Sequence, residues 1–176
     1  MKKTWLYSMI GALLFTVTFG FSTVDASSIK QDRLVVNLSA DTSVGKYQIV
    51  DTDGSIYTYA DRQSYEAAEQ TFKAKWAIVS KNVVGVLASD YATDSYEHSG
   101  FGGWNYATPV GYSTNFNNSK YNDEVSSIKT ARRSSGTKVC YHKSGGEPCK
   151  TFGPGLDISY VGSGWNDQIS YVNVYR

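Results

Sequence analysis

Histidine and cysteine are scarce in this chain, which has two of each among 176 residues. Neither His98 nor His142 has an aspartate or a nucleophile at the spacing of a catalytic motif, and no nucleophile elbow or metalloprotease signature occurs. General acid–base and nucleophilic catalysis depend on such groups. The sequence therefore predicts a protein that is not an enzyme, with both histidines facing solvent.

Net charge is also nearly absent. The 17 Lys and Arg residues and 16 Asp and Glu residues give a formal net charge of +1. The basic run "ARR" at 131–133 is too short to form the positive face that nucleic-acid binding requires. Composition therefore argues against nucleic acid as a partner.

Residues 1–26 have the pattern of an export signal. Lys2 and Lys3 precede the apolar run "WLYSMIGALLFTVTFGF", and the small-residue sequence "VDA" ends at Ala26, before Ser27. The alternative is an uncleaved membrane anchor, because the run reaches the lower end of the lengths that span a bilayer. We expect cleavage near Ala26 and a mature bacterial protein that is secreted or held at the cell envelope, with no membrane contact afterwards.

Cys140 and Cys149 are the two cysteines. Two thiols without a second pair of ligands nearby do not complete a tetrahedral zinc site. An exported protein meets oxidising conditions, in which two such thiols normally pair. We therefore expect a disulfide, which in the chain-entropy model stabilises a loop of this size by about 2.7 kcal/mol.

Residues 27–80 predict a β-hairpin followed by a helix. Two β-rich runs in "KYQIVDTDGSIYTYA" flank Asp53-Gly54, a strong hairpin signal, and "DRQSYEAAEQTFKAKW" then changes to a helical period that Asp61 can cap. The apolar side chains on one face of this helix are expected to pack as core: Tyr65, Ala68, Phe72 and Trp76. The segment is short for an independent domain, and a processed pro-region is the alternative.

From residue 81 onward, Gly, Ser, Asn and aromatic residues separate short alternating runs, which is typical of an all-β sandwich. Two segments, about 92–132 and 137–176, repeat each other. The aligned pairs are Tyr96 with Tyr141, Gly103 with Gly146, Asn122 with Asn166, and Ser126 with Ser170. Two copies are too few for a propeller or solenoid, but they suffice for two four-stranded Greek keys packed face to face.

This pattern resembles the βγ-crystallin family over roughly residues 90–176. The first repeat has the family's aromatic start and later glycine in "YEHSGFGG", and the full N/D-N/D-x-x-S/T-S motif in "NDEVSS". The second repeat departs twice: "YHKSGG" is two residues shorter between aromatic and glycine, and "NDQISY" ends in Tyr171 instead of serine. The resemblance implies a mainly β, two-Greek-key sandwich with the hairpin and helix as a small N-terminal extension.

The resemblance also implies calcium. In the family the motifs of the two repeats cross, and each of two sites takes ligands from both repeats. Carried over residue by residue, the implied set is the side chains of Asp123, Asp167, Asn122 and Asn166, the hydroxyls of Ser126 and Ser170, the carbonyls of Glu124 and Gln168, and hairpin carbonyls near Glu97 and His142. Such oxygens suit Ca²⁺. The alternative is that these polar residues simply hold a turn.

The expected function is therefore that of a secreted, non-enzymatic protein with a structural or binding role, stabilised by weakly bound calcium. One alternative is a secreted peptidase inhibitor. The stretch "VCYHKSGGEPCKTF" looks similar to the disulfide-tied hairpins of βγ-crystallin-like metalloproteinase inhibitors, with Lys143 through Pro148 as the exposed loop. The partner would then be a secreted protease instead of a cell-envelope component.

A further alternative is an antimicrobial or toxin protein that acts on membranes or cell walls. The aromatic content offers it little support, because Trp104, Tyr106 and Trp165 are of the kind that usually pack in cores and hairpins.

Overall fold

The computed structural model of the protein describes residues 33–39, 47–81 and 88–176. The predicted export signal, residues 1–26, lies outside these residues. The strands are β1 (Leu34–Asn37), β2 (Tyr47–Val50), β3 (Ile56–Tyr59), β4 (Ala92–His98), β5 (Gly102–Pro109), β6 (Ser113–Asn115), β7 (Ser127–Lys129), β8 (Thr137–His142), β9 (Gly146–Phe152), β10 (Leu156–Tyr160) and β11 (Tyr171–Val174). One long helix, α1 (Arg62–Lys81), and short 3₁₀ turns at Ala88–Tyr91, Ser99–Phe101 and Lys143–Gly145 complete the described elements.

The strands form two sheets that pack face to face. Sheet A has five strands in the order β1-β10-β7-β4-β5, and sheet B has six in the order β3-β2-β9-β8-β11-β6. The first repeat comprises β4 to β7 and the second β8 to β11. Each repeat keeps three strands in one sheet and gives its third strand to the other: β6 pairs with β11, and β10 pairs with β7. The predicted two-Greek-key sandwich is therefore confirmed.

The core between the sheets is apolar and draws on both repeats. Its fully buried members include Val125, Ile128, Val139, Phe152, Ile158, Trp165, Ile169 and Val172, each 0% exposed. Val125 and Ile169 stand between the polar positions of the two Asn-Asp motifs, so each motif is fixed to the core by its own apolar residue. Burying such a side chain stabilises the fold by about 2 kcal/mol.

The N-terminal extension continues both sheets. β1 runs parallel to β10 at the edge of sheet A, and β2 runs parallel to β9 in sheet B, with β3 as its hairpin partner. The connection from β2 to β3 turns at Gly54, whose φ of +84° suits glycine. The predicted hairpin is present, and both strands by which the extension joins the sandwich, β1 and β2, pair with strands of the second repeat.

Helix α1 covers the outer face of sheet B. Asp61 caps it as predicted, since Asp61 Oδ1 accepts a 2.8 Å hydrogen bond from the Ser64 amide. Its apolar face joins a second hydrophobic cluster in which Tyr65 is 1% exposed and Trp76 0% exposed. No helix in the described ranges is both long enough and apolar enough to span a bilayer.

The predicted disulfide lies beneath this helix. Cys140 on β8 and Cys149 on β9 face each other across the strand pair and are bonded. They are 0% and 2% exposed and belong to the same cluster as Tyr65 and Trp76. The bond is therefore part of the buried interface between α1 and sheet B.

Two buried carboxylates fix α1 to the sheet. Asp51, at the end of β2, accepts hydrogen bonds from Trp76 Nε1 at 2.8 Å and Lys75 Nζ at 2.6 Å. Glu69, 3% exposed, accepts from Thr151 at 2.6 Å, Tyr65 at 3.0 Å and Tyr175 at 3.2 Å, with Lys138 Nζ at 3.3 Å. A buried carboxylate satisfied in this way fixes the orientation of the helix as well as its position.

Gly136 is predicted to be critical for the docking of α1. A Cβ at this position would lie 2.8 Å from Cζ3 of Trp76, and φ is +119°. We expect Gly136→Ala to lower the free energy of unfolding by about 3 kcal/mol, measured by urea denaturation, because overpacking and backbone strain add.

Gly100→Ala is the matched control for this prediction. Gly100 also has a positive φ, +69°, but a Cβ there meets no atom within 4 Å. We expect it to cost about 1 kcal/mol, the strain alone. Equal losses in the two variants would contradict the packing role assigned to Gly136.

Asp51 is predicted to make the protein sensitive to acid. Burial by itself would raise the pKa of Asp51, but hydrogen bonds from Lys75, Trp76 and the Thr52 amide outweigh burial and hold this pKa below its usual value. Because the folded-state pKa is depressed, the stabilisation is present above the ordinary carboxyl pKa of about 3.9 and is lost as pH falls through the folded-state value.

We therefore expect Asp51→Asn to lower the free energy of unfolding at pH 7 by about 2 kcal/mol. The same variant should flatten the loss of stability below about pH 4. Denaturant titrations at pH 7 and pH 3 measure both effects. Asp53→Asn, on the exposed part of the same turn, is the control and should lose less at pH 7. An unchanged acid limb in Asp51→Asn would contradict the assignment.

Candidate functional site

The two Asn-Asp motifs form facing corners at one end of the sandwich. The first corner comprises residues 122–126 and the second comprises residues 166–170. The Asp123 amide donates to the Ile169 carbonyl at 3.4 Å, and the Asp167 amide donates to the Val125 carbonyl at 3.3 Å. These reciprocal contacts join the repeats across an approximate twofold axis, so residues 44 positions apart in the sequence lie side by side.

Each corner is a tight turn that its own sequence stabilises. Asp123 and Asp167 have φ values of +56° and +55°, in the left-handed region that aspartate tolerates better than most residues. The preceding amide supports each aspartate: Asn122 Nδ2 donates to Asp123 Oδ2, and Asn166 Nδ2 donates to Asp167 Oδ2, both at 2.6 Å. The Asn-Asp pair thus forms the turn and presents a carboxylate at its tip.

The serine of each motif contacts the aspartate of the other motif. Ser170 Oγ donates to Asp123 Oδ1 at 2.9 Å, and Ser126 Oγ donates to Asp167 Oδ1 at 3.3 Å. The serines are 6% and 7% exposed, whereas both aspartates are exposed. Each carboxylate and hydroxyl pair therefore combines oxygen atoms from both repeats, with its open side toward solvent.

Both corners are also attached to the first hairpin of their own repeat. The Ser126 amide donates to the Tyr96 carbonyl at 2.9 Å, and the Ser170 amide donates to the Cys140 carbonyl at 3.1 Å. Tyr96 and Cys140 are therefore structurally equivalent. The first hairpin lies beside Ser126 and Asp167, and the second beside Ser170 and Asp123.

The register of the hairpins corrects the sequence alignment. His98 pairs with Gly102 in the first hairpin and His142 with Gly146 in the second, and each encloses a three-residue 3₁₀ turn. The two hairpins are equally long, so the expectation of a shorter second hairpin is wrong. The alignment matched Tyr96 with Tyr141 because both are aromatic, but strand pairing matches Tyr96 with Cys140.

The predicted carbonyl ligands near Glu97 and His142 are consequently not equivalent positions. Tyr141 is the counterpart of Glu97, and His142 is the counterpart of His98. Both histidines are exposed, with 68% of the His98 side chain accessible. If hairpin carbonyls act as metal ligands at equivalent positions of the two repeats, the carbonyl in the second hairpin is that of residue 141, which corresponds to Glu97.

Glu97 and Tyr141 have different structural roles. Glu97 Oε2 accepts from the Trp104 amide at 3.2 Å and lies against Gly103, where a Cβ would be 2.4 Å away. Gly103 has a φ of +74°, so it permits this folded hairpin as predicted. Tyr141 instead donates its hydroxyl to the Gly164 carbonyl, and its ring packs on Trp165 with centroids 4.7 Å apart.

The second departure from the motif is at its last position, where the first repeat has Ser127 and the second repeat has Tyr171. Ser127 Oγ donates to the His98 carbonyl at 2.6 Å and accepts from the Phe101 amide at 3.0 Å, which ties the first hairpin to β7. In the second repeat the ring of Tyr171 lies over Gly145, where an added Cβ would be 3.6 Å from it. The Asn115 side chain accepts from the Ser144 amide at 2.6 Å. Packing and a side chain from the first repeat thus take the place of the serine.

The donor atoms of the corners suit a hard cation. The described residues contain no group of three or more His, Cys, Asp or Glu side chains that could hold a metal, so an ion here depends on hydroxyl and carbonyl oxygens beside single carboxylates. Asn122 Oδ1 is buried and has no hydrogen-bond partner in the described part of the chain. A buried acceptor without a partner is costly, and a bound cation would satisfy it. The residues present therefore fit Ca²⁺ in chemistry.

The hairpin proposed as an inhibitory loop is only partly accessible. Lys143 and Ser144 are exposed, but 145–148 is half-buried. Glu147 accepts a hydrogen bond from the Tyr47 hydroxyl and lies 3.0 Å from Arg62 Nη1. The extension therefore covers one side of this hairpin, and only its tip is available to a partner.

Among solved structures, this chain is similar to several βγ-crystallin domains. No protein-family model and no curated protein matches this chain. A double mutant of a βγ-crystallin domain from Clostridium beijerinckii is 28% identical with a TM-score of 0.41, and the match covers 48% of this chain and 96% of that one. A βγ-crystallin from Ciona intestinalis is 25% identical with a TM-score of 0.39, covering 47% and 98%. A clostrillin double mutant in complex with nickel is 26% identical with a TM-score of 0.41, covering 48% and 98%.

These matches span nearly all of each solved chain and about half of this one. This chain's own structure shows the exchange of strands β6 and β10 and the reciprocal hydrogen bonds between the corners. With the two Asn-Asp motifs, they give residues 88–176 a two-Greek-key architecture, to which β1, β2, β3 and α1 are added.

Proposed function

We propose that this protein is a secreted, non-enzymatic βγ-crystallin-like protein whose two corners bind Ca²⁺ weakly and whose fold the ion stabilises. The reciprocal hydrogen bonds between Asp123 and Ser170 and between Asp167 and Ser126 are the observation that carries the proposal. They bring hard oxygen ligands from both repeats together at a solvent-exposed edge, which is what a calcium ion requires.

The chain provides two equivalent sets of candidate calcium ligands, one on each side of the approximate twofold axis between the repeats. One side has Asp123 with the hydroxyl of Ser170, and the other has Asp167 with the hydroxyl of Ser126. The carbonyls of Glu124 and Gln168, the hairpin carbonyls at residues 97 and 141, and water would complete the shells. Asn122 and Asn166 hold the carboxylates in place through their Nδ2 groups, and Asn122 Oδ1 would be a further ligand. When bound, the ion would supply positive charge that links the repeats.

The expected affinity is low because each side contributes few carboxylates. Extracellular modules of this kind bind calcium with dissociation constants of about 0.1 to 1 mM. With about 2 mM free ion and a 0.1 mM site, linkage stabilises the folded state by about 1.8 kcal/mol. Such a site would be largely occupied outside the cell, so calcium would act as a structural component of the secreted protein.

The role that follows is structural or binding. The export signal predicted at residues 1–26 supports release or retention at the cell envelope, where calcium is abundant. The exposed His98 and His142 stand in separate hairpins, and among the described residues neither imidazole hydrogen-bonds to Asp123 or Asp167. These features favour a ligand-binding function over catalysis.

The calcium proposal predicts a corner-specific effect on stability. In 2 mM CaCl₂ the melting temperature of the wild type should exceed its value in chelator, by about 4 °C if the stabilisation is 1.8 kcal/mol. Asp123→Ala and Asp167→Ala should each remove part of the increase, because each deletes a carboxylate from one side. Differential scanning calorimetry and calcium titration calorimetry give the two measurements.

Glu124→Ala is the control for these variants. It removes the same charge from the same corner, but only the backbone carbonyl of Glu124 is proposed to face the ion. It should leave most of the calcium-dependent increase intact. An increase that is absent in the wild type, or that survives in the double variant of Asp123 and Asp167, would exclude calcium at these corners.

A further inference from the structure

The end of the sandwich opposite the corners carries two adjoining open grooves. β4 runs from Ala92 at this end to His98 at the corner end, and β11 begins at Tyr171 beside the second corner and ends here at Val174. One groove, of about 610 Å³, is lined by Ala77, Ser80, Lys81, Tyr91, Val110, Arg133 and Arg176. The other, of about 480 Å³, is lined by Gly111, Tyr112, Asn173, Val174, Tyr175 and Arg176. Because Arg176 borders both, we treat them together as the end groove.

The end groove is positively charged although the chain as a whole is nearly neutral. Among the residues that the structure describes, its lining includes Lys81, Arg133 and Arg176 and no aspartate or glutamate side chain. Lys73 adds a fourth cation at the border, 3.8 Å from the centroid of the Tyr175 ring. The side chain of the nearby Asp90 is only 2% exposed, and its carboxylate lies 3.9 Å from Arg132 Nε. The accessible face of the groove therefore attracts anions.

Tyrosine rings lie beside these cations in the groove. Tyr91 is 47% exposed and Tyr112 is 61% exposed. The guanidinium of Arg133 lies 5.6 Å from the centroid of Tyr91, just as Lys73 lies over Tyr175. A guanidinium held against a ring is oriented before a ligand arrives, so less side-chain entropy is lost on binding.

We propose that the end groove binds an acidic oligosaccharide whose sugar rings carry carboxylates, of the uronate type. The guanidinium of Arg176, which borders both grooves, matches carboxylate geometry, and tyrosine edges and hydroxyls suit the mixed apolar and polar surface of a sugar. Two adjoining open grooves suit a chain ligand that keeps its outer face hydrated. It suits a flat bilayer poorly because the site is concave, and the cations over Tyr91 and Tyr175 occupy ring faces that a nucleic-acid base would need for stacking.

This site is separate from the calcium corners, so it is tested without calcium. The full secreted chain is titrated in chelator with a decameric oligogalacturonate, and heat or intrinsic fluorescence reports binding. We expect saturable binding that weakens with added salt and no binding of neutral dextran of similar length. The variant Lys81→Glu/Arg176→Glu, which reverses two exposed cations, should weaken binding by about tenfold or more.

The matched control is Lys120→Glu/Lys143→Glu, which changes charge equally with two exposed lysines at the corner end. It should change the affinity less than about twofold, since those lysines lie at the opposite end of the sandwich and salt screens their charge from the groove. Lys81→Glu alone, on the exposed helix end, serves if the double variant unfolds, and should weaken binding by about threefold. Absence of binding by the wild type, equal binding of dextran, equal losses in variant and control, or tighter binding of single-stranded DNA or anionic vesicles would each overturn the proposal.

Discussion

Exchange of one strand between the two repeats is the constraint on which the rest of this structure depends. Because β6 joins β11 in sheet B and β10 joins β7 in sheet A, neither repeat can complete a sheet alone. The segments that lead to and from the exchanged strands must cross at one end of the sandwich. The Asn-Asp corners lie on those segments, so the crossing brings Asp123 to Ser170 and Asp167 to Ser126. The candidate site follows from the topology and the repeated motif together.

The extension acts mainly on the repeat that departs from the motif. β1 and β2 pair with β10 and β9, which are both strands of the second repeat, and α1 covers the disulfide between β8 and β9. The first repeat holds its hairpin with Ser127, whereas the second lacks that serine and has Tyr171, the disulfide and the covering helix instead. A change in one short motif is thus accompanied by a larger addition that buries the affected hairpin. Glu69 links the addition to β8 and β9 through hydrogen bonds that an apolar interface would not specify, and Asp51 links α1 to β2 within the addition.

Much of this arrangement could be predicted from the sequence, and the reasons are local. Asp61 reads as a helix cap and Asp53-Gly54 as a turn because short-range geometry determines both. Val125 and Ile169 read as core because the alternation of the strands and corners requires it. The repeat was visible because Asn-Asp-x-x-Ser is needed twice for the same turn, with φ near +55° at each aspartate.

What the sequence could not provide was register and long-range pairing. Tyr96 was aligned with Tyr141 by residue type, but β-sheet pairing places Cys140 there, and a shift of one residue turns a side chain to the other face. The parallel pairing of β1 and β2 with the second repeat has no local signal at all. The contacts of Glu69 likewise depend on residues from α1, β8, β9 and the C-terminal end, so their partnership appears only in the folded chain.

The crossing of the corners is tested most directly by a double-mutant cycle on Asp123 and Ser170, measured by urea denaturation in chelator. The structure predicts that Asp123→Ala and Ser170→Ala are coupled by about 1 kcal/mol, because the carboxylate and hydroxyl are bonded across the repeats. The parallel cycle on Asp123 and Ser126, which belong to the same corner but are not bonded to each other, should give a coupling near zero. Coupling within the corner that exceeds coupling across the repeats would contradict the crossed arrangement.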